Sequence, residues 1–159
     1  MKGAARTAGL AALALLVGSA CAGLMPQAAQ TPTSTASSSP VPSAPNGKLG
    51  APVAMPAGFP ADFPVYPASR LTAAGKFAGD GSTNWGMEWQ TTDARDKVQA
   101  FFVGRLAAGD WSLVSHSGGT GTTPFSATFK RRSDARIKGS LGVAVSGVTK
   151  ISLVLTTYP

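Results

Sequence analysis

The chain has 159 residues, enough for one modest domain, and its 14 lysines and arginines against seven acidic residues give a net charge of +7. Cys21 is its only cysteine and His116 its only histidine. A single cysteine excludes a disulfide within the chain, and the usual zinc sites need several His, Cys or carboxylate ligands. We therefore expect no disulfide, no metal and no other cofactor.

The first 21 residues are typical of a secretory signal. Lys2 and Arg6 form a basic start, and an uncharged apolar run extends from Thr7 to Ala20. This run is shorter than the roughly 20 apolar residues that a membrane-spanning helix needs. It therefore predicts a removable signal peptide rather than a transmembrane helix.

Small residues lead into the cysteine, namely Val17, Gly18, Ser19 and Ala20. This step resembles the lipobox of bacterial lipoproteins, with Gly18 at a position where that family favours leucine. The resemblance implies that Cys21 becomes the lipidated first residue of an extracytoplasmic protein anchored to the cell membrane. The alternative is an ordinary signal peptide that happens to contain a cysteine. Lipidation would explain why an exported protein has one unpaired cysteine. Two or three acyl chains would anchor the protein durably to the membrane.

Residues 22–56 are rich in proline, alanine, serine and threonine, and Lys48 is their only charged residue. Such a composition offers little apolar surface to offset the entropy lost on ordering. We therefore expect a disordered tether that holds one globular domain, residues 57–159, clear of the lipid headgroups.

The domain opens with three aromatic-proline steps, Phe59-Pro60, Phe63-Pro64 and Tyr66-Pro67. A residue that precedes proline favours extended geometry, so these steps predict an extended strap. Aromatic side chains this close to a core usually pack on it. A recognition segment that displays the aromatics is the alternative.

Alternating apolar residues on both sides of the turn residues Gly79-Asp80-Gly81 then predict a hairpin. The alternating sets are Leu71, Ala73 and Phe77 before the turn and Trp85, Met87 and Trp89 after it. A helix is expected next, with Asp93 as its N-cap, Asp96 in its first turn and Gly109 after its end. Its apolar face would carry Val98, Phe101, Phe102 and Leu106.

Four more strands are predicted after the helix, because apolar residues alternate in each of them. These residues lie in Trp111 to His116, at Phe125, Ala127 and Phe129, at Leu141, Val143 and Val145, and at Ile151, Leu153 and Leu155. The order β-β-α-β-β-β-β predicts an α+β domain, an antiparallel sheet of about six strands with one helix packed on it. One helix is too narrow to cover such a sheet. The sheet therefore curls, the strap covers the remainder, or part of the face is kept for a partner.

Three segments of this domain resemble small lipid-anchored bacterial proteins of uncharacterised function. They are residues 63–67, the helix of residues 93–106, and Asp110-Trp111 directly after it. The resemblance extends over most of residues 57–159. It implies a lipoprotein with a single α+β domain and no particular activity.

Few residues of the domain could carry catalysis. His116 would be the base of a serine hydrolase, but Ser115 and Ser117 beside it on a strand point to the opposite face. Glu88 is the only glutamate, and it alternates outward between the tryptophans of its strand. An envelope-acting hydrolase that uses His116 or Glu88 is therefore an alternative function, and we predict no catalytic residue.

A basic stretch stands out, since Lys130, Arg131, Arg132, Arg136 and Lys138 surround the single acidic Asp134. If Phe129 and Ile137 face the core, Lys130 points outward opposite Arg136 or Lys138. Like charges facing each other are mildly destabilising. An anion would relieve their repulsion, and lipid phosphate, an acidic envelope polymer and an acidic protein patch are the candidates.

We therefore expect a non-catalytic module of the cell envelope that binds a protein or an anionic polymer through this hairpin or an exposed sheet face. A solvated hairpin tip without a ligand is the alternative at this site, and a structural spacer is the alternative for the domain. Nucleic acid is not an expected partner, because the basic stretch is short and lacks neighbouring aromatics for base stacking.

Overall fold

The computed structural model describes residues 45–118 and 123–159. Predictions for the signal peptide, Cys21 and residues 22–44 of the tether fall outside the described residues, as do positions 119–122 of the loop after Ser117. Six strands and one helix follow one another along the described chain. They are β1 (Arg70–Gly79), β2 (Ser82–Thr91), α1 (Arg95–Leu106), β3 (Trp111–Ser117), β4 (Phe125–Arg131), β5 (Lys138–Ser146) and β6 (Val148–Thr157).

All six strands form one sheet in the order β1-β2-β6-β5-β4-β3, and every neighbouring pair is antiparallel. The predicted α+β class, with six antiparallel strands and one helix, is confirmed. The chain reaches the far edge of the sheet through α1 and then returns strand by strand. The last strand, β6, thereby pairs with β2 in the centre.

One face of the sheet, here the inner face, carries the core. Its buried side chains are Trp85, Met87 and Trp89 on β2, Phe125, Ala127 and Phe129 on β4, Leu141 and Val143 on β5, and Ile151, Leu153 and Leu155 on β6. This is the alternation that the sequence predicts, except that Val145, near the end of β5, is 54% exposed. The other face, here the outer face, carries the residues between them, which are exposed or half-buried.

The first hairpin turns at Asp80-Gly81, where Gly81 has a φ of 67°, a conformation that favours glycine. A bulge follows Leu71, which pairs with Trp89, whereas Ala73 pairs with the adjacent Glu88. The extra residue moves every later side chain of β1 to the other face. Leu71 is therefore buried while Phe77 is 64% exposed. The expectation that the alternating residues of β1 share one face is wrong for this reason.

Helix α1 begins one residue later than predicted, with Ala94 as an N-cap that makes no side-chain hydrogen bond. The predicted cap, Asp93, uses its carboxylate to accept hydrogen bonds from the Tyr66 hydroxyl and the Lys97 ammonium. The end of the helix agrees with the prediction, since Leu106 is its last residue and Gly109 has a φ of 63°.

The helix contributes Val98, Phe102 and Leu106 to the same hydrophobic core as the inner strand residues. Phe101, predicted on the same face, is half-buried and packs edge-on against Tyr66 with ring centres 5.2 Å apart. No helix among the described residues is both long enough and apolar enough to cross a membrane.

The aromatic-proline strap packs on the core, as predicted. Phe63 and Tyr66 are each only 4% exposed. Phe63 stacks edge-on against Trp111 with ring centres 5.5 Å apart, and Phe59 packs against Trp85 at 5.6 Å. The strap therefore covers inner-face surface that the single helix leaves open.

Residues 45–56, placed in the tether by the sequence analysis, make hydrogen bonds to the sheet. The Gly47 amide donates to the Gly147 carbonyl, the Gly50 amide to the Gln90 side chain, and the Val53 amide to the Leu71 carbonyl. These bonds lead from the β5–β6 turn to the outer edge of β1. Contacts with the sheet thus begin before residue 57.

Candidate functional site

The candidate site lies on the outer face, where Lys130 of β4 and Lys138 of β5 are directly opposite each other. Both side chains are exposed, and neither makes a hydrogen bond or an ion pair within residues 45–118 and 123–159. The expectation that Lys130 points outward opposite another cation of the hairpin is confirmed. Facing lysines repel each other mildly, and no acidic side chain of the described residues compensates this pair.

An open depression of about 450 Å³ lies beside this pair on the same face. Two exposed apolar side chains, Val114 and Val154, line it together with both lysines. The hydroxyl-bearing side chains of Thr128, Ser140 and Thr156 also line it. The depression therefore joins cationic groups, hydrogen-bonding hydroxyls and aliphatic surface.

The register of the sheet explains why these residues meet. Ser140 pairs with Thr128 on one side and with Val154 on the other, so the three side chains form a row across β4, β5 and β6. Thr156, Lys138 and Lys130 form the next row. The Thr128 hydroxyl is 2.7 Å from that of Ser115, and the Thr156 hydroxyl donates to Asn84 at 2.8 Å.

The other three predicted cations do not join this pair. Arg131 points away from it and forms ion pairs with Asp62 and Asp110, the latter at 3.3 Å. Its guanidinium also lies 5.1 Å from the centre of the Trp111 ring. Only 22% of its side chain is exposed, so Arg131 joins the strap to β3 and β4.

Arg132 and Arg136 are also held by neighbouring groups. Arg132 donates to the carbonyls of Ala107 and Gly109, just beyond the end of α1. Arg136 donates to Asp134 at 2.7 Å and lies over the ring of Tyr158. The candidate binding cluster of five cations is therefore reduced to Lys130 and Lys138, because acidic groups pair with Arg131 and Arg136 and carbonyl groups accept the hydrogen bonds of Arg132.

The carboxylates around these arginines are stabilised in their ionised form. Two hydrogen bonds from Ser133, and to a lesser degree Arg131 and Arg132, lower the pKa of Asp110. Hydrogen bonds from Arg136 lower the pKa of Asp134. Both groups thus remain anionic partners of the arginines across the neutral range.

The described part of the fold does not arrange His116 as the base of a hydrolase. His116 lies on the inner side of the edge strand β3, opposite Ala127, with its ring centre 6.2 Å from that of Phe125. Ser115 and Ser117 pair with outer-face residues, so they point away from His116 as predicted. No carboxylate hydrogen bond to His116 is present among the described residues.

Glu88 lies on the outer face of β2, as predicted, and accepts hydrogen bonds from Gln90 at 3.0 Å and Thr72 at 3.4 Å. Three strands separate β2 from β3, so the sheet does not bring Glu88 and His116 together. In the part of the chain that the structure describes, no three His, Cys, Asp or Glu residues are grouped to hold a metal ion.

A second depression, of about 530 Å³, lies between the strap, the β1–β2 turn and the end of the chain. Its charged groups have partners. Lys76 lies 5.1 Å from the centre of the Trp85 ring and donates to the Ala57 carbonyl, while Asp62 pairs with Arg131. The depression beside Lys130 and Lys138 is therefore the better candidate for a charged ligand.

Comparison with known proteins does not identify a function for this site. No known protein family, curated protein sequence or solved structure matches the chain.

Proposed function

We propose that this chain is an exported bacterial lipoprotein, anchored at Cys21 on the extracytoplasmic face of the cell membrane. Its domain is a non-catalytic module that binds an anionic ligand on the outer face of the sheet. The observation that carries the binding proposal is the Lys130–Lys138 pair, two facing cations without an acidic partner among the described residues.

An anion placed between these lysines would interact with both ammonium groups and remove their mutual repulsion. Phosphate and carboxylate groups both accept the hydrogen bonds that lysines donate. The Ser140 hydroxyl, between Thr128 and Val154 in the adjacent row, offers a further donor. Because the site is exposed, its affinity should fall with rising salt.

The anchor proposal is supported by the sequence around Cys21. The small residues before it resemble a lipobox, and a membrane-held protein meets phospholipids, acidic envelope polymers and other envelope proteins. Anionic members of these classes are the proposed partners, and nucleic acid is not among them.

Binding can be tested by titrating the full-length protein with inorganic pyrophosphate while amide chemical shifts are followed by NMR. We expect saturable shifts in β4 and β5. Lys130→Gln or Lys138→Gln should weaken binding about five-fold or more, the effect of losing one charged interaction of about 1 kcal/mol. Lys97→Gln on α1 is the control, because Lys97 is an exposed lysine of the helix that packs on the inner face, and its ion pair is with Asp93.

Absence of saturable shifts, or equal weakening by Lys97→Gln, would contradict ligand binding and favour the structural spacer. The anchor has its own test, an intact-mass measurement on protein purified from membranes. A mass increase of a diacylglycerol on Cys21, lost in Cys21→Ser, is the expected result. An unmodified sulfur, or a freely secreted product, would contradict the anchor.

A further inference from the structure

We propose that the outer face of the sheet docks on an anionic lipid bilayer, with Lys130 and Lys138 at lipid phosphates. This inference rests on the proposed function, and it identifies the anion that the domain binds as a phospholipid headgroup. Three features of the outer face lead to it: its charge, its exposed apolar side chains and its glycines.

The charge of the outer face is positive and complementary to an anionic membrane. Lys130, Lys138 and Lys150 are its lysines, and Glu88 is the single acidic side chain that the strand registers place on it. Glu88 is half-buried, and its carboxylate accepts hydrogen bonds from Thr72 and Gln90. The aspartates of the described chain lie in the strap, in turns and loops, and in or beside α1. A surface with this asymmetry turns its cationic side towards negative lipid.

Exposed apolar side chains accompany the lysines. Phe77 is 64% exposed, Val114 is 59% exposed and Val154 is 57% exposed. The registers place Phe77 and Val154 on the outer face, and Val114 lines the depression there. Cationic and apolar side chains on one surface are typical of proteins that lie in the interface of a bilayer.

The outer face also has positions that carry no side chain. Gly86 of β2 and Gly142 of β5 add no side chain to it, and a Cβ built on Gly86 would meet nothing within 4 Å. Glycine in a strand interior weakens a strand, and it allows close approach of another surface. Ser126 and Ser152 are the neighbours of Gly142 on either side. The backbone of the outer face is therefore open to close approach by a bilayer at these positions.

Lysine footprinting on vesicles tests this inference. The full chain is attached to vesicles at Cys21, through its lipid or, where the thiol is free, through a maleimide lipid. Amine acetylation of each lysine is then measured by mass spectrometry. Vesicles of phosphatidylcholine alone are compared with vesicles that also contain phosphatidylglycerol.

On the anionic vesicles we expect acetylation of Lys130, Lys138 and Lys150 to slow about five-fold, as attraction to anionic lipid at the surface implies. Lys97 on α1 should react equally on both kinds of vesicle. Phe77→Ser should reduce the protection while leaving pyrophosphate binding unchanged, because Phe77 does not line the depression beside the two lysines.

Three results would overturn bilayer docking: no protection, equal protection of Lys97, or equal protection on phosphatidylcholine alone. If pyrophosphate still binds in those cases, the proposed function stands and only the bilayer is excluded as its ligand. If pyrophosphate also fails to bind, the proposed function fails as well.

Discussion

The Tyr66 hydroxyl donates a 2.6 Å hydrogen bond to the carboxylate of Asp93, and this bond joins the strap to the start of α1. Lys97 donates to the same carboxylate at 3.0 Å. The hydrogen bond from Tyr66, and then that from Lys97, lower the pKa of Asp93 below its ordinary value. Burial, followed by Asp93, raises the pKa of Tyr66 to about 12.

Tyr66→Phe should lower the free energy of unfolding by about 1 kcal/mol, because Asp93 loses a hydrogen bond to its charged form. Chemical denaturation at neutral pH measures the change. Tyr158→Phe is the matched control, since the Tyr158 hydroxyl has no hydrogen-bond partner among the described residues. A loss as large in the control would mean that the Tyr66–Asp93 bond is not the cause.

The pH dependence of stability should change with Tyr66 in two ranges. The pKa of Asp93 is depressed in the folded state, so its contribution is present above its ordinary pKa and is lost as pH falls. The difference between wild type and Tyr66→Phe should therefore narrow below about pH 4. The pKa of Tyr66 is raised, so wild type should lose stability between pH 10.0 and about 12, and the variant should lack this loss. Denaturation midpoints across pH check both ranges, and parallel curves would contradict the assignment.

Phe63→Ala should destabilise the domain by about 3 to 5 kcal/mol, the usual cost of deleting a buried aromatic ring. Phe63 contacts Trp111 and Phe129 in the core, so its loss leaves a cavity between the strap and the sheet. Phe77→Ala should change stability by no more than about 0.5 kcal/mol, as surface substitutions do. Thermal unfolding of the two variants measures the contrast, and similar effects would show that the strap is not part of the core.

Gly139→Ala should destabilise the domain, whereas Gly86→Ala should not. A Cβ on Gly139 would lie 2.4 Å from the Val154 carbonyl oxygen and 2.7 Å from the Phe129 ring, so the alanine should cost about 1 to 3 kcal/mol. At Gly86 the space is open, and alanine should be neutral or stabilising by up to about 1 kcal/mol. Urea denaturation tests the pair. An equal loss at both positions would contradict the close packing at Gly139.

Lys130→Thr and Arg132→Ala should separate the unpaired cations from the structural ones. Lys130→Thr removes like-charge repulsion across the hairpin and should stabilise by a few tenths of a kcal/mol at low salt, an effect that high salt weakens. Arg132→Ala removes the donors to the carbonyls beyond α1 and should cost about 0.5 to 1 kcal/mol. Denaturation at two salt concentrations measures both. Stabilisation by Arg132→Ala would contradict its structural role.

Local patterns predicted most of the fold. The alternation of Trp85, Met87 and Trp89, the glycine turns and the apolar face of α1 each depend on neighbours in the sequence, which is why they could be recognised. The face of Phe77 could not, because a bulge after Leu71 depends on how β1 pairs with β2. The predicted cap at Asp93 was wrong because the Asp93 carboxylate accepts a hydrogen bond from Tyr66, far away in the sequence.

The site was predicted only in part for the same reason. In the sequence, Arg131 and Lys130 are equivalent neighbours in one basic stretch. The fold brings Asp62 to Arg131, 69 positions away in the chain, and leaves Lys130 facing Lys138. The depression beside them needs β6 next to β5 and Val114 next to β4. These long-range relationships have no local signal in the sequence.

The hydrogen bond from the Val53 amide to the Leu71 carbonyl covers part of the edge strand β1 and should limit aggregation. A bare edge strand is a template for pairing with another copy, which leads to aggregation. Here the preceding segment occupies one end of that edge, the bulge interrupts its regular spacing, and Lys76 adds a charge farther along. Deleting the residues up to and including Val53 would therefore expose this edge, lower the solubility of the protein and promote its self-association.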